Sequence, residues 1–212
     1  AKEYSKFTFF DLIELIDVRI YKTRGTDPRA GISRFTFRLN DKLSDTEIQD
    51  WLLWYNKHWM SKPLFQTELS GPLYGNRALS HILIDYSEFL NRKTFTIDQL
   101  KKIATDKKLN PTIEHILSQK PKFILRSHGF KSTEEYLQYK DTLGNLTVLE
   151  KYLNSAAQNQ NTFEKVKFYD KSKFRMTKSI STQISTKRKF NKKDIEERTE
   201  LITKYLSDIW WC

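Results

Sequence analysis

Apolar side chains recur at helical spacing along most of this chain, and that periodicity limits its fold more than any other feature. In residues 77–91 they occupy positions i, i+3, i+4, i+7 and i+11, and residues 192–209 form a second amphipathic stretch. The same pattern predicts helices over 8–22 and 44–60, the latter opened by a Ser-x-x-Glu capping box. We therefore expect a predominantly α-helical protein.

Two short β-prone runs break the helical pattern in the second half of the chain. The first, 111–117, is entered by a proline, and the second, 145–149, follows a glycine. Further short helices are predicted over 96–104, 132–140, 162–169 and from about 150 past 154. The stretch 177–190 is rich in Thr, Ser and Lys, and is predicted to be a flexible loop. The fold class is thus α+β, predominantly α-helical, with a helical domain over 1–108 and a second domain over 109–212.

Composition excludes several classes of protein. The 212 residues are 38% apolar and 14% aromatic, which is enough for a buried core and argues against a wholly disordered chain. No apolar run reaches the ~18 residues of a membrane helix, and the chain does not begin with a secretory signal pattern. The single cysteine, Cys212, permits no internal disulfide or cysteine-built zinc site and indicates a reducing, cytoplasmic context. The sequence also contains no glycine-rich phosphate-loop motif.

Positive charge is concentrated in the second half of the chain. The formal net charge is +11, and residues 101–212 carry 23 basic against 13 acidic side chains, whereas residues 1–100 carry 14 against 13. Two basic clusters, 165–178 and 187–193, are interleaved with aromatic residues. A polyanion is the natural partner, with an affinity that falls steeply as salt rises. A solvated basic face explains the clusters equally well, and an anionic membrane fits less well because no broad apolar helix face accompanies them.

An acid and a histidine stand side by side in the first β-prone run, as Glu114 and His115. Asn145 begins the second run, and Asn154 follows on the next helix. A neutral histidine can take a proton from water, and a carboxylate with an amide oxygen suits Mg²⁺, so the set matches the needs of phosphodiester hydrolysis. Because adjacent strand residues point to opposite faces, Glu114 and His115 can share a site only where the strand ends or bends.

Each of these residues also has an ordinary explanation. A Glu-His pair is common by chance and usually lies at the surface, while Asn145 could be a turn residue and Asn154 could lie near a helix end. Lys165 and Arg198, in helices further along, are by default members of ion pairs. Only the ordered combination, with the basic clusters downstream, favours a nuclease.

The ordered set resembles a known family. The resemblance is carried by IEHILSQ at 113–119, LGNLTVL at 143–149, LN at 153–154, TFEK at 162–165 and IEER at 195–198. Together these segments are similar to the C-terminal nuclease domain of GmrSD-type modification-dependent (type IV) restriction endonucleases, an HNH-like, or His-Me finger, nuclease. The resemblance covers roughly 110–210 and departs from the family at Ser118, where a proline is usual.

The resemblance implies a ββα-metal (His-Me finger) core and a role for each matching residue. His115 would be the general base, Glu114 and Asn154 would hold the catalytic Mg²⁺ or Mn²⁺, and Asn145 would brace the loop and orient His115. Lys165 and Arg198 match basic positions of the family and are expected to contact phosphate. The basic cluster adds Lys167, Lys171, Lys173 and Arg175 as expected DNA contacts. The function implied is a metal-dependent DNA endonuclease or nickase of an anti-phage restriction system, with modified phage DNA among its expected substrates.

The resemblance also implies a longer protein. We expect an N-terminal domain linked to NTP-dependent DNA sensing to precede this chain, which does not begin with Met. The alternative is a non-catalytic module whose basic half binds nucleic acid and whose helical half docks a partner. A divalent ion beside Glu114 and Asn154 would separate the two functions.

Overall fold

The first half of the chain is helical. The computed structural model describes residues 7–37, 39, 43–91, 105–120, 123–158 and 160–210. The helices described before residue 92 are α1 (Phe9–Leu15), continued by a π-helical segment (Ile16–Thr23), α2 (Arg29–Thr36), α3 (Asp45–Trp59), α4 (Lys62–Ser70) and α5 (Leu79–Asn91). The helices predicted over 8–22, 44–60 and 77–91 are confirmed, and the one predicted over 96–104 lies outside the described residues.

The second half holds one small sheet among further helices. Its elements are β1 (Pro111–His115), a 3₁₀ turn (Leu125–His128), α6 (Thr133–Tyr139), a second 3₁₀ turn (Leu143–Asn145), β2 (Leu146–Glu150), α7 (Lys151–Ala157), α8 (Thr162–Tyr169), α9 (Arg175–Lys187) and α10 (Lys192–Ile209). The strands pair antiparallel, with Pro111 opposite Glu150 and His115 opposite Leu146. The described residues thus form a predominantly helical α+β fold, as predicted.

Local sequence signals fix where several helices begin. Ser44 and Glu47 bond each other's backbone N–H groups at the start of α3, and Asn161 with Glu164 does the same for α8. These reciprocal bonds satisfy N–H groups that a helix start leaves without partners. No helix in the described part of the chain is both long and apolar enough to cross a membrane.

β2 is buried along its whole length because it lies between two hydrophobic clusters. Leu146 and Val148 belong to the larger cluster, which also contains apolar residues of α1, α3, α4, α5 and α10. Leu149 belongs to the second cluster, built from the segment after β1 and from α6 to α10. Alternate strand residues point to opposite faces, so the two faces of β2 serve different clusters. The larger cluster contains residues from both sides of position 108. The boundary between two domains at that position remains a prediction.

The prediction of a flexible loop over 177–190 is wrong, because residues 175–187 form α9. Met176, Ile180 and Ile184 are fully buried and lie one helical turn apart, so the stretch has an apolar stripe despite its polar composition. The small hydroxyls beside that stripe are also buried and bonded: Thr177 Oγ1 donates to Val148 O at 2.6 Å, and Ser181 Oγ bonds the Asp170 carboxylate. Satisfied hydroxyl groups can be buried at little cost.

The backbone of Gly144 is in close contact with α10. A Cβ atom built on Gly144 would lie 1.9 Å from the carbonyl oxygen of Ile195 and 2.6 Å from Thr199 Oγ1. The Gly144 N–H also donates to Thr199 Oγ1 at 3.0 Å. Only glycine permits this approach, which fixes the turn that precedes β2.

We expect Gly144→Ala to lower the free energy of unfolding by about 3 kcal/mol or more, because relief of the clash must move backbone atoms of α10. Urea denaturation followed by circular dichroism measures the change. Gly71→Ala is the matched control, since a Cβ there would have no neighbour nearer than 3.6 Å. The control should stay within about 0.5 kcal/mol of the parent. Equal stabilities for the two variants would contradict the tight packing at Gly144.

Candidate functional site

Glu114 and His115 are the last two residues of β1, and both line a cavity of about 290 Å³. The strand ends at His115, which meets the condition for neighbouring residues to reach one site. Asn154 of α7 and Lys165 of α8 line the same cavity. The other lining residues are Tyr74, Ile113, Ser118, Gln119 and Gln158. Four separate stretches of the chain therefore meet at the end of β1.

Asn145 holds the turn that follows His115, and its side chain is completely buried. Its Oδ1 accepts the Leu117 N–H at 2.8 Å, while its Nδ2 donates to the carbonyls of Leu117 at 3.1 Å and Lys140 at 2.8 Å. Asn145 does not line the cavity. Its position fits bracing of the turn, as the resemblance implies, rather than contact with a substrate.

The turn after β1 has a serine, Ser118, where the resemblance implies a proline. The Tyr136 hydroxyl lies 2.7 Å from the carbonyl oxygen of Ser118 and 3.1 Å from that of Leu117, so it can donate to either. Ser118 Oγ donates in turn to the Gln160 carbonyl at 3.3 Å. Hydrogen bonds from buried side chains thus fix the geometry that a proline ring would otherwise restrict.

His115 is held by hydrogen bonds at both ring nitrogens. Its Nε2 lies 2.9 Å from Asp141 Oδ1, and the amide of Gln119 donates to its Nδ1 at 3.1 Å. A carboxylate can only accept, so Nε2 carries the proton and Nδ1 carries the lone pair. The ring of Tyr74 contacts the imidazole, with 4.5 Å between ring centroids and 60° between the ring planes.

The electrostatic surroundings keep His115 neutral at neutral pH. Burial lowers the pKa of His115 below its usual 6.5, and the bond to Asp141 offsets only part of that effect. Burial tends to raise the pKa of Asp141, but hydrogen bonds from Lys140 and His115 outweigh it and lower that pKa. The Lys140 ammonium lies 2.8 Å from the second carboxylate oxygen of Asp141. A neutral imidazole beside an ionised carboxylate is the state that a general base requires.

Glu114 forms a buried ion pair with Lys165. Lys165 Nζ lies 2.7 Å from Glu114 Oε1 and donates to the His115 carbonyl at 2.6 Å, with only 1% of its side chain exposed. The Tyr169 hydroxyl donates to the same carboxylate oxygen at 3.1 Å. Burial raises the pKa of Glu114, and Lys165 and Tyr169 counteract that rise. Lys165 therefore supports Glu114 inside the cavity and does not lie on the protein surface.

Glu114 and Asn154 supply the oxygen atoms that could hold a cation. The hydrogen bonds of the Asn154 side chain come from Nδ2, to Thr112 Oγ1 at 2.8 Å and the Ile113 carbonyl at 3.2 Å, so Oδ1 is the atom left for a ligand. Carboxylate oxygens keep further lone pairs after the contacts to Lys165 and Tyr169. No trio of His, Cys, Asp and Glu side chains able to hold a metal occurs among the described residues. The pair fits Mg²⁺, which takes few protein ligands and keeps several waters.

The remaining basic residues of the prediction fall into two groups. Lys167, Lys171, Lys173 and Arg175 are exposed, so they can contact DNA. Arg198 is instead buried behind the turn, where Nε donates to Gly144 O at 2.9 Å and Nη2 to Leu146 O at 3.2 Å. Burial lowers the pKa of Arg198 to about 10, so it remains charged at neutral pH. The structure places Arg198 in a supporting position and not in the cavity.

Four residues of the site were not predicted from the sequence: Tyr74, Gln119, Asp141 and Tyr169. Asp141 follows Lys140 in an ordinary polar stretch, and nothing in its neighbours marks it as the partner of a histidine 26 residues earlier. Gln119 follows His115 by only four residues, so it is the one residue of the four whose contact with His115 is local in the sequence. The other contacts depend on how the elements pack.

One comparison with known proteins identifies a family for this chain. The family model described as GmrSD restriction endonucleases, C-terminal domain, matches residues 69–205, which is more than half of the chain. The match covers every predicted site residue and begins shortly before Tyr74. No curated protein and no solved structure shows a significant match to the chain.

We expect Lys165→Met to lower the free energy of unfolding by about 3–5 kcal/mol, because it leaves the Glu114 carboxylate buried without its counter-charge. The double variant Lys165→Met with Glu114→Gln should recover most of this loss, since no buried charge remains. Guanidinium denaturation of the single and double variants measures the coupling.

The matched control is Lys167→Met on the exposed side of α8, which should change stability by no more than about 0.5 kcal/mol. An unchanged stability in Lys165→Met, or a double variant less stable than the single one, would show that the ion pair is not buried as described.

Proposed function

This chain belongs to the family of GmrSD restriction endonuclease C-terminal domains, and on that basis we propose that it is a metal-dependent DNA endonuclease or nickase with His115 as its general base. Membership of the family makes it a restriction endonuclease-type nuclease domain. The single observation that carries the finer proposal is the neutral imidazole of His115, held by Asp141 at the edge of a cavity that also contains Glu114 and Asn154. The two strands and α7 would then be the ββα-metal core.

His115 Nδ1 is the atom that would accept a proton from water. Nε2 donates to Asp141, so the imidazolium formed by proton transfer lies beside a carboxylate that stabilises its charge. The amide of Gln119 occupies Nδ1 in this structure and must turn aside for a water to replace it. Hydrogen bonds of candidate bases often tighten only when substrate is bound.

The reaction breaks one phosphodiester bond. The water oxygen bonds to phosphorus as His115 takes its proton, the bond from phosphorus to the 3′ oxygen breaks, and the leaving oxygen receives a proton from solvent. The products are a 5′-phosphate and a 3′-hydroxyl. Bound Mg²⁺ or Mn²⁺, held by Glu114 and Asn154, would supply positive charge to the phosphate and the leaving oxygen. Lys165 counteracts the rise in the pKa of Glu114 that burial causes.

The exposed basic residues Lys167, Lys171, Lys173 and Arg175 would bind the DNA backbone and give the salt-dependent part of the affinity. Modified phage DNA as substrate, a cytoplasmic location, and an N-terminal NTP-dependent sensing domain in the full-length protein are part of this proposal. They rest on the family and not on contacts within the described residues.

We expect His115→Ala to slow cleavage of plasmid DNA in Mg²⁺ or Mn²⁺ by about 10²–10⁴-fold, the usual contribution of a general base. Agarose-gel nicking assays under single-turnover conditions measure the rate, and filter binding of the same plasmid should show unchanged affinity. His81→Ala is the control, because His81 lies outside the cavity and is partly exposed.

Cleavage by His115→Ala at the parent rate would overturn the assignment. The basic surface would then support the alternative function, a nucleic-acid-binding module without catalysis.

Metal binding can be measured without cleavage. We expect the parent domain to bind one Mn²⁺ in the cavity, and Glu114→Gln or Asn154→Ala to weaken this binding by at least about tenfold, since even outer-shell changes cost roughly that much. Titration of free Mn²⁺ by electron paramagnetic resonance gives the affinity. Glu164→Gln, which changes an exposed carboxylate of α8, is the control. Unaltered Mn²⁺ affinity in both site variants would exclude Glu114 and Asn154 as ligands.

A further inference from the structure

A second, larger cavity adjoins the catalytic one. Its volume is about 900 Å³, and it shares Ser118 and Gln158 with the cavity that contains His115. We call it the side cavity. Its walls come from the 3₁₀ turn at Leu125–His128, the start of α8 and the end of α9. If a phosphate of a DNA strand lies at His115, a neighbouring base or sugar of that strand can therefore reach the side cavity.

An aromatic ring with a cation above it forms one wall of the side cavity. Phe163 lines the cavity with 53% of its surface exposed, although most phenylalanines of this chain are buried or partly buried. The guanidinium of Arg188 lies 5.8 Å from the centre of the Phe163 ring. Flat aromatic and guanidinium surfaces bind nucleobases by stacking, and they do so with little preference for sequence.

Amide groups form another wall. Gln158, Gln160 and Asn161 line the side cavity. The Nε2 of Gln160 donates to the Ala156 carbonyl at 3.2 Å, but its Oε1 is buried and has no hydrogen-bond partner among the described residues. Because that oxygen is inaccessible to solvent, a ligand in the side cavity cannot reach it. The wall therefore offers amide surface for contact with a flat ligand and not a defined hydrogen-bond acceptor.

The charges around the side cavity suit a polyanion. Arg188 and Lys189 are exposed at its rim. Glu164 is the one acidic residue among the described lining, and its carboxylate already accepts the Asn161 N–H at 3.2 Å as part of the cap of α8. The cavity thus combines basic groups for a phosphate with apolar and amide surfaces for a base.

We propose that the side cavity receives an unstacked nucleobase of the DNA strand that is cut at His115. This inference rests on the proposed nuclease function and adds to it the class of substrate: a nucleotide in single-stranded DNA, or one displaced from a duplex. Phe163 and Arg188 stack on the base, and Lys189 binds an adjacent phosphate.

Binding of single-stranded oligonucleotides in EDTA tests the proposal without cleavage. The probes are a fluorescein-labelled oligothymidylate and an abasic oligomer of the same length and charge, compared by fluorescence anisotropy. The parent domain should bind the oligothymidylate more tightly. Phe163→Ala should weaken oligothymidylate binding by about fivefold or more, the usual effect of losing one stacked base, and leave abasic binding unchanged. Phe163→Tyr, which keeps the ring, should restore the preference.

Two further variants separate stacking from other effects. Phe89→Ala removes an equally exposed phenylalanine outside the side cavity and should bind both oligomers like the parent. Arg188→Gln should weaken the binding of both oligomers because a positive charge is lost. The effect on oligothymidylate binding should be larger, because a surface that stacks on the base is lost as well.

The proposal is overturned if the parent domain binds both oligomers equally, or if Phe163→Ala weakens both to the same extent. It is also overturned if thymidine monophosphate binds as tightly as the oligothymidylate, since the occupant would then be a free nucleotide. These measurements need no metal and no cleavage. They can support base binding in the side cavity even if His115→Ala cleaves DNA normally, and they can exclude it even if His115→Ala is inactive. The two proposals are therefore judged separately.

Discussion

The site depends on the buried amide of Asn145, which joins the turn after His115 to the segment that carries Asp141. Its bonds to Leu117 fix the chain just after β1, and its bond to the Lys140 carbonyl fixes the residue next to Asp141. The buried amide of Asn145 therefore fixes the position of the His115 imidazole relative to the Asp141 carboxylate that orients it. Arg198 supports the turn that carries Asn145, just before β2, through the Gly144 carbonyl. Each buried polar group here has a partner whose loss would leave it unsatisfied, at a cost of about 1–3 kcal/mol per group.

The carboxylates in the cavity and behind His115 are each paired with a lysine before any ligand arrives. Glu114 is paired with Lys165, and Asp141 is paired with Lys140. The large positive charge of the second half therefore lies elsewhere, on exposed residues such as Lys171 and Arg175. It follows that attraction to DNA and choice of the reacting phosphate are separate physical tasks. In the proposed nuclease, the surface would supply long-range, salt-sensitive affinity for DNA, whereas the cavity would fix the geometry of the reacting phosphate.

Sequence reasoning identifies what is encoded locally and misses what depends on packing. The periodicity of 77–91 and 192–209 and the capping box before α3 mark helices whose signals lie within a few residues. α9 was missed because its buried face includes Thr177 and Ser181, whose hydroxyls are satisfied by β2 and Asp170 and so act as core residues. Asp141 and Tyr74 were missed because their contacts with His115 connect positions far apart in the chain.

The segment around Tyr74 shows that the first half of the chain helps to build the site. The backbone N–H of Leu73 donates to the Asp141 carbonyl at 2.7 Å, and Pro72 forms a bridge with Thr142. These bonds place the Tyr74 ring beside His115, with 60° between the two ring planes. A cut at residue 108 would separate Tyr74 from the histidine, whereas the family match, which begins at residue 69, includes it. The segment between α4 and α5 thus supplies one wall of the cavity that contains His115.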